Sequence, residues 1–263
     1  DDFRGDRPEK FIKCFPWHPH RGIETITYML NGTVEHGDSL KNSGVIGPGD
    51  VQWMTAGSGI IHQEMPSPDK DGTMGGFQLW ANLPASQKMT KPHYQEIKDA
   101  DIPAVKIGNG VQAKIIAGNL EGVKGPVEGI AINPVFCDVT VEPGMYSSVP
   151  IQSDHKVICY LFEGSGWFDS NRDPLSAPSA KNSVYTTPDE CEVFSNSGIL
   201  LGDGDIAEFT AGKSGMRFLL IAGIPIGEPI AWHGPIVMNT QEELNTAISD
   251  LRNGSFLKQG HNL

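Results

Sequence analysis

The sequence predicts an all-β chain, a duplicated barrel or sandwich followed by one short helix. Three observations carry that expectation. Short stretches of strand-like residues are cut by Gly and Asp turns along most of the length. Helix signals are scarce until residue 240. Two strand–turn stretches recur later in the chain in the same order.

The elements follow in order. ETITYML (24–30) alternates, with Ile26, Tyr28 and Leu30 on one face. GPGD (47–50) reads as a tight turn into the strand VQWM (51–54), whose Trp53 and Met54 are expected in the core. GGFQLWANL (75–83) and VQAKIIAG (111–118) read as further strands. Near the end, Thr240 and Glu243 have capping-box spacing, Leu244, Ala247, Ile248 and Leu251 give one apolar face, and Gly254 is a stop signal.

The repeat joins ITYMLNG (26–32) to ICYLFEG (158–164), an offset of 132. It also joins GPGDVQWMTAGSG (47–59) to GDGDIAEFTAGKS (202–214), an offset of 155. The difference assigns 23 extra residues to the second copy, most simply in DSNRDPLSAPSAKNS (169–183). The Gly-rich stretch GNLEGVKGPVEG (118–129) reads as the join. The expected division is a first domain over 1–120, a second over 130–235 and the helix over 240–254.

Composition removes several function classes. The chain has 263 residues and 38% hydrophobic content, enough for real cores, and no stretch approaches the roughly 20 apolar residues of a membrane span. Its net charge of -12, without a Lys/Arg cluster, opposes direct nucleic-acid binding. Cys14, Cys137, Cys159 and Cys191 form no CxxC pair and read as free thiols in a reducing, cytoplasmic setting. The start at DDFRGDRPEK shows no signal peptide and no Met, so an upstream piece is expected.

The candidate chemistry lies in two i, i+2 pairs. His18 and His20 precede the first matched strand, and His62 and Glu64 follow the second matched stretch. In extended backbone each pair points to one side. Two such strands side by side aim three imidazoles and one carboxylate at one interior point, a donor set for a divalent transition metal with positions left open. The offsets send His18 and His20 to Pro150 and Gln152, and His62 and Glu64 to Arg217 and Leu219. The second copy therefore lacks all four ligands, and the site is expected in the first half alone.

FPWHPHRGIETITYMLNG, PGDVQWMTAGSGIIHQEMP, GFQLWANLP, KMTKPHYQEI and HGPIVMNTQEEL closely resemble the pirin family of the cupin superfamily, over nearly the whole chain. The resemblance implies two tandem cupin β-barrel (jelly-roll-like) domains with a short C-terminal α-helix. It implies iron in the N-terminal barrel, at His18, His20, His62 and Glu64. Fe(II) is the expected ion, with Mn, Co, Ni, Cu and Zn also compatible. The general cupin pattern is departed from: seven residues rather than six separate Glu24 from Gly32, Thr55 replaces a Pro, and His62 comes late. Glu24, the generic fourth ligand, is left out in favour of Glu64.

Some pirin-like proteins resemble quercetin 2,3-dioxygenases, which cleave a flavonol with O2. That implies a flavonol-like substrate and O2 as partners, with Glu64 as catalytic base. Other pirins act as nuclear cofactors of transcription factors, which implies instead a redox-sensitive iron protein with a protein partner. A monomer is expected. His36 and Asp38 read as a polar loop turning at Gly37 rather than as groups orienting a ligand. His93, His155, His233 and His261 read as structural. Cys14 is left outside the site, and Arg21 is expected to pair with an acidic group.

Overall fold

The computed structural model describes residues 1–5, 15–168 and 192–258. The chain divides into two compact units, 1–101 with 226–263, and 102–225. Cys14, Cys191, His261 and the stretch 169–183 lie outside the described residues. Among the described residues, no helix is long and apolar enough to cross a membrane.

The first unit contains β1 (Phe15–His20), β2 (Ile23–Asn31), β3 (Thr33–Asp38), β4 (Ser43–Ile46), β5 (Val51–Thr55), β6 (Ile60–Ser67), β7 (Gly75–Asn82) and β8 (His93–Ile97). They form two four-stranded antiparallel sheets, ordered β1-β6-β3-β4 and β7-β2-β5-β8. The β-branched and aromatic residues of ETITYML favour a strand, as expected. Its alternation does not describe its burial, because β2 is covered on both faces from Ile23 to Met29, while Leu30 is half-buried. Trp53 and Met54 are core residues, as the sequence suggested.

The second unit contains β9 (Ala104–Lys106), β10 (Val111–Ala117), β11 (Asn119–Leu120), β12 (Val123–Lys124), β13 (Val135–Val141), β14 (Tyr146–Pro150), β15 (Lys156–Trp167), β16 (Val193–Phe194), β17 (Ser197–Leu200) and β18 (Ile206–Gly223). Apart from the β11–β12 hairpin they make one antiparallel sheet along β16-β15-β18-β13-β10-β9, with β14 on β18 and β17 on β15. Ala113, Val139, Val149, Phe209, Phe218 and Leu220 belong to one apolar core.

The chain then returns to the first unit with β19 (Ala231–His233), β20 (Ile236–Met238) and α1 (Gln241–Arg252). Both halves of the capping box are present: the Thr240 hydroxyl accepts from the Glu243 N–H, and the Glu243 carboxylate accepts from the Thr240 N–H. Leu244 and Ala247 are buried with Ile236, Met238 and Phe256, whereas Leu251, expected on the same face, is exposed.

The contact units differ from the expected boundaries at 120, 130 and 235. β10 pairs with β13, which draws residues 102–120 into the second unit, and the terminal helix packs with the first. Glycines of the Gly-rich stretch serve the β11–β12 hairpin, where Gly122 has a φ of +79.

One half of the repeat also needs correcting. β2 lies between β5 and β7, and β15 lies between β17 and β18, so the first match stands. Ile26 faces Trp53 of β5, and its counterpart Ile158 faces Leu200 of β17. The equivalent of β5 is therefore β17. The stretch 206–210, matched to β5 by sequence, pairs with β14 as β6 pairs with β1. The second likeness reflects shared Gly-Asp turn chemistry, not shared position.

Candidate metal centre

β1 is an edge strand, which is where a sheet tolerates Pro16 and Pro19. Pro19 therefore marks no turn. β1 pairs with β6 so that His18 lies directly opposite His62, His20 opposite Ile60 and Phe15 opposite Glu64, with an irregularity between Phe15 and His18. The period of two turns His18 and His20 the same way. The ring centroids of His18, His20 and His62 lie 4.8, 4.3 and 5.0 Å apart. One nitrogen from each falls within 4.8 Å of the others.

The hydrogen bonds assign the tautomers. His18 Nδ1 lies 2.8 Å from the Pro16 carbonyl and His20 Nδ1 lies 3.2 Å from the Pro235 carbonyl. A carbonyl only accepts, so both Nδ1 atoms carry a hydrogen and Nε2 is the nitrogen left to ligate. His18 Nε2 stands 2.9 Å from His62 Nε2. Two nitrogens bound about 2.1 Å from one cation, at a right angle, stand about 3 Å apart. The buried His20 Nε2 and His62 Nδ1 have no hydrogen-bond partner among the described residues. Burial, helped by neighbouring His18, pushes His20 down to about 3 against the opposing Pro235 bond. His62 is pushed far down by burial and then by His20, His18 and His36. Both imidazoles are therefore neutral, the form that binds a metal. These residues fit a divalent cation.

Glu64 is buried two residues beyond His62 and lies outside that group of three. The Thr27 hydroxyl donates to its Oε1 at 3.1 Å, and the Gln78 amide donates to its Oε2 at 2.8 Å. The structure thus gathers three of the four expected ligands and holds the fourth carboxylate on two neutral donors from β2 and β7. Glu24 also lies outside the group. It accepts from the Thr55 hydroxyl at 2.7 Å, and burial raises its pKa.

His36 and Asp38 are not the polar loop expected. They lie on β3, fully buried, because β3 pairs with β6 and sets Asp38 opposite His62 and His36 opposite Glu64. The His36 ring is 5.4 Å from that of His62 and stacks on Tyr94 at 4.7 Å. His36 Nε2 is 3.3 Å from Asp38 Oδ2, and Asp38 also accepts from the Leu40 and Asn42 N–H groups. Trp80, which the sequence did not single out, is half-exposed and meets the His20 ring edge-on at 5.1 Å. Thr27, Gln78 and Trp80 carry no local signal; cross-strand register alone brings them here. His93 and His233 are exposed, and His155 is buried in the second unit, so none joins the centre. Burial pushes the Cys137 and Cys159 thiols up to about 12, which leaves them unreactive.

Two β units, the first with three imidazoles converging from neighbouring strands, define a cupin-class protein with two barrels. The chain belongs to the pirin family: its "Pirin" domain matches residues 2–81 and its "Pirin C-terminal cupin domain" matches residues 136–257. A pirin-like protein of Caulobacter vibrioides is 41% identical over 257 residues, covering 97% of this chain and 85% of that one. A Thermoplasma acidophilum protein, named provisionally as a quercetin 2,3-dioxygenase, is 36% identical over 273 residues, covering 97% of both. The crystal structure of quercetin 2,3-dioxygenase from Acinetobacter baumannii is 29% identical, with a TM-score of 0.80 over 97% of this chain and 83% of that one.

Proposed function

We propose that the chain is a metal-dependent oxidoreductase of the quercetin 2,3-dioxygenase type, acting on a flavonol-like substrate with O2. The observation that carries this reading is the convergence of His18, His20 and His62, with the Glu64 carboxylate on the same strand as His62. The names of the Thermoplasma and Acinetobacter relatives support the reaction type. His18, His20, His62 and Glu64 would hold one divalent ion, and Fe(II) suits imidazole and carboxylate donors, as do Mn, Co, Ni, Cu and Zn. A bound ion supplies Lewis acidity toward the substrate's 3-hydroxyl and the centre that O2 chemistry requires.

The protein's own groups do the rest. Glu64 takes the 3-hydroxyl proton as general base. Thr27 and Gln78 fix the direction of its two oxygens, and both are neutral, so neither competes for that proton. The half-exposed Trp80 offers an aromatic face beside His20 for a planar ring system.

The test is to load the protein with Fe(II), and in parallel with Mn, Co, Ni and Cu, and mix it with quercetin under air. Loss of flavonol absorbance is expected, abolished by His62→Ala. Glu64→Gln should leave metal on the three imidazoles, held more weakly, while losing at least about a hundredfold in turnover, the range of a lost general base. No loss of absorbance with any metal sinks the enzyme reading. It would favour a redox-sensitive iron protein acting through protein contacts, in keeping with relatives named only as pirin-like.

A further inference from the structure

Two charged side chains beside the metal strand have no task in that chemistry. Arg21 follows His20 directly and is 2% exposed, and Lys88 is 1% exposed. Burying a cation is costly unless its donors are met. Arg21 Nη1 donates to Asp250 Oδ2 and Nη2 to the Phe256 carbonyl, each at 2.8 Å, and its guanidinium lies over the Phe256 ring at 4.2 Å. Lys88 Nζ donates to the Gly22 carbonyl at 2.9 Å, Asn82 Oδ1 at 2.7 Å and the Val237 carbonyl at 2.9 Å.

Both cations tie the turn after β1 to the segment 231–256: Arg21 reaches from within the turn to Asp250 and Phe256, and Lys88 bridges Gly22 and Val237. The backbone does likewise, since the Val237 N–H donates to the Arg21 carbonyl at 3.0 Å. Gly22, at a φ of +78, lies so near that an added Cβ would fall 1.9 Å from the Val237 carbonyl oxygen. Two residues earlier, His20 Nδ1 meets the Pro235 carbonyl. Three consecutive residues, 20 to 22, are thus latched to one short stretch around Pro235 and Val237.

We propose that the C-terminal segment 231–256 is a positioning element of the metal centre: the Pro235 carbonyl orients His20, and Arg21 and Lys88 are positioning residues that hold that carbonyl in place. The inference rests on the metal-centre reading above. A carbonyl that accepts the remote N–H of a ligating imidazole fixes its tautomer and ring direction. By linkage, whatever loosens the segment weakens the metal, and the metal tightens the segment by the same factor.

The experiment uses the full chain and Co(II) as probe, read by its d–d absorption. Lys88→Met and Asp250→Asn are both made; the second cuts the latch from α1, far in sequence from the ligands. Each is expected to weaken Co(II) binding by roughly 10- to 100-fold and to shift the d–d spectrum. Lys88→Arg should restore part of the loss. Co(II) should also slow amide exchange in 231–256 of the parent protein. If Lys88→Met does not fold, Asp250→Asn decides alone. Parental affinity and an unchanged spectrum in folded variants overturn the latch while leaving the metal centre intact. A parent that binds no Co(II) overturns both.

Discussion

Across the β1–β6 ladder His18 faces His62; across the corresponding β14–β18 ladder Val149 faces Ala207. Both pairs sit where the edge strand meets the strand that follows the barrel's second turn. In the second unit Val149 and Ala207 belong to the apolar core. In the first, two of the three imidazoles are as deeply buried and leave ring nitrogens without hydrogen-bond partners. The second unit also carries buried charge, but outside that core: Arg217 grips Asp138 through Nε and Nη2 at 3.0 and 2.6 Å. The same scaffold therefore takes either polarity at this ladder. What distinguishes the units is whether its inward pair contributes packing or donor atoms.

The largest expected effect comes from erasing the difference. The double variant His18→Val, His62→Ala gives β1 and β6 the side chains of the second unit. Metal binding should fall by more than roughly 100-fold, beyond what loss of a supporting group costs, while the metal-free protein melts no lower than the parent. A calorimetric melt with titrated Co(II) reads both numbers, and retention of tight binding would break the comparison.

Acid should act on the first unit next. His20 titrates at about 3 when folded and near 6.5 unfolded, so the unfolded chain binds the extra proton between those values. Stability of the metal-free protein is therefore full above pH 6.5 and is lost as pH falls toward 3, by on the order of 3 kcal/mol at pH 4 from His20 alone. The lowered pKa of His62 adds in the same direction. Urea midpoints against pH should show this slope, and the double variant, which keeps His20 but lacks His62, should show a shallower one.

The smallest effect is assigned to the second unit's charges. Arg217→Met removes the forked pair with Asp138 and should cost about 1–3 kcal/mol of stability, with Co(II) affinity unchanged. A fall in affinity would mean that the charges of the second unit are not only structural.

Much of this was legible in the residues. The i, i+2 spacing of His18 with His20 put two imidazoles on one side because strand periodicity is local. The capping box at Thr240 and Glu243 was legible for the same reason. What the sequence hid was set by long-range register. His36 and Asp38 looked like loop residues because their burial comes from pairing with β6, some 25 residues on. Arg21 was expected to find an acid, and it did, but at Asp250. Nothing near residue 21 or 88 signals that residues 226–263 return to the first unit. The second repeat match failed because turn residues look alike wherever a turn is needed.

That return has a consequence for the order of events during synthesis. The residues between 101 and 226 must be made before Pro235 exists to accept from His20. At 5–20 residues per second that interval is roughly 6–25 s. Throughout it the emerging first barrel has its histidines but neither the carbonyl behind His20 nor the counter-charge of Arg21. If the latch holds, the groups that orient His20 are complete only once the segment around Pro235 has been made.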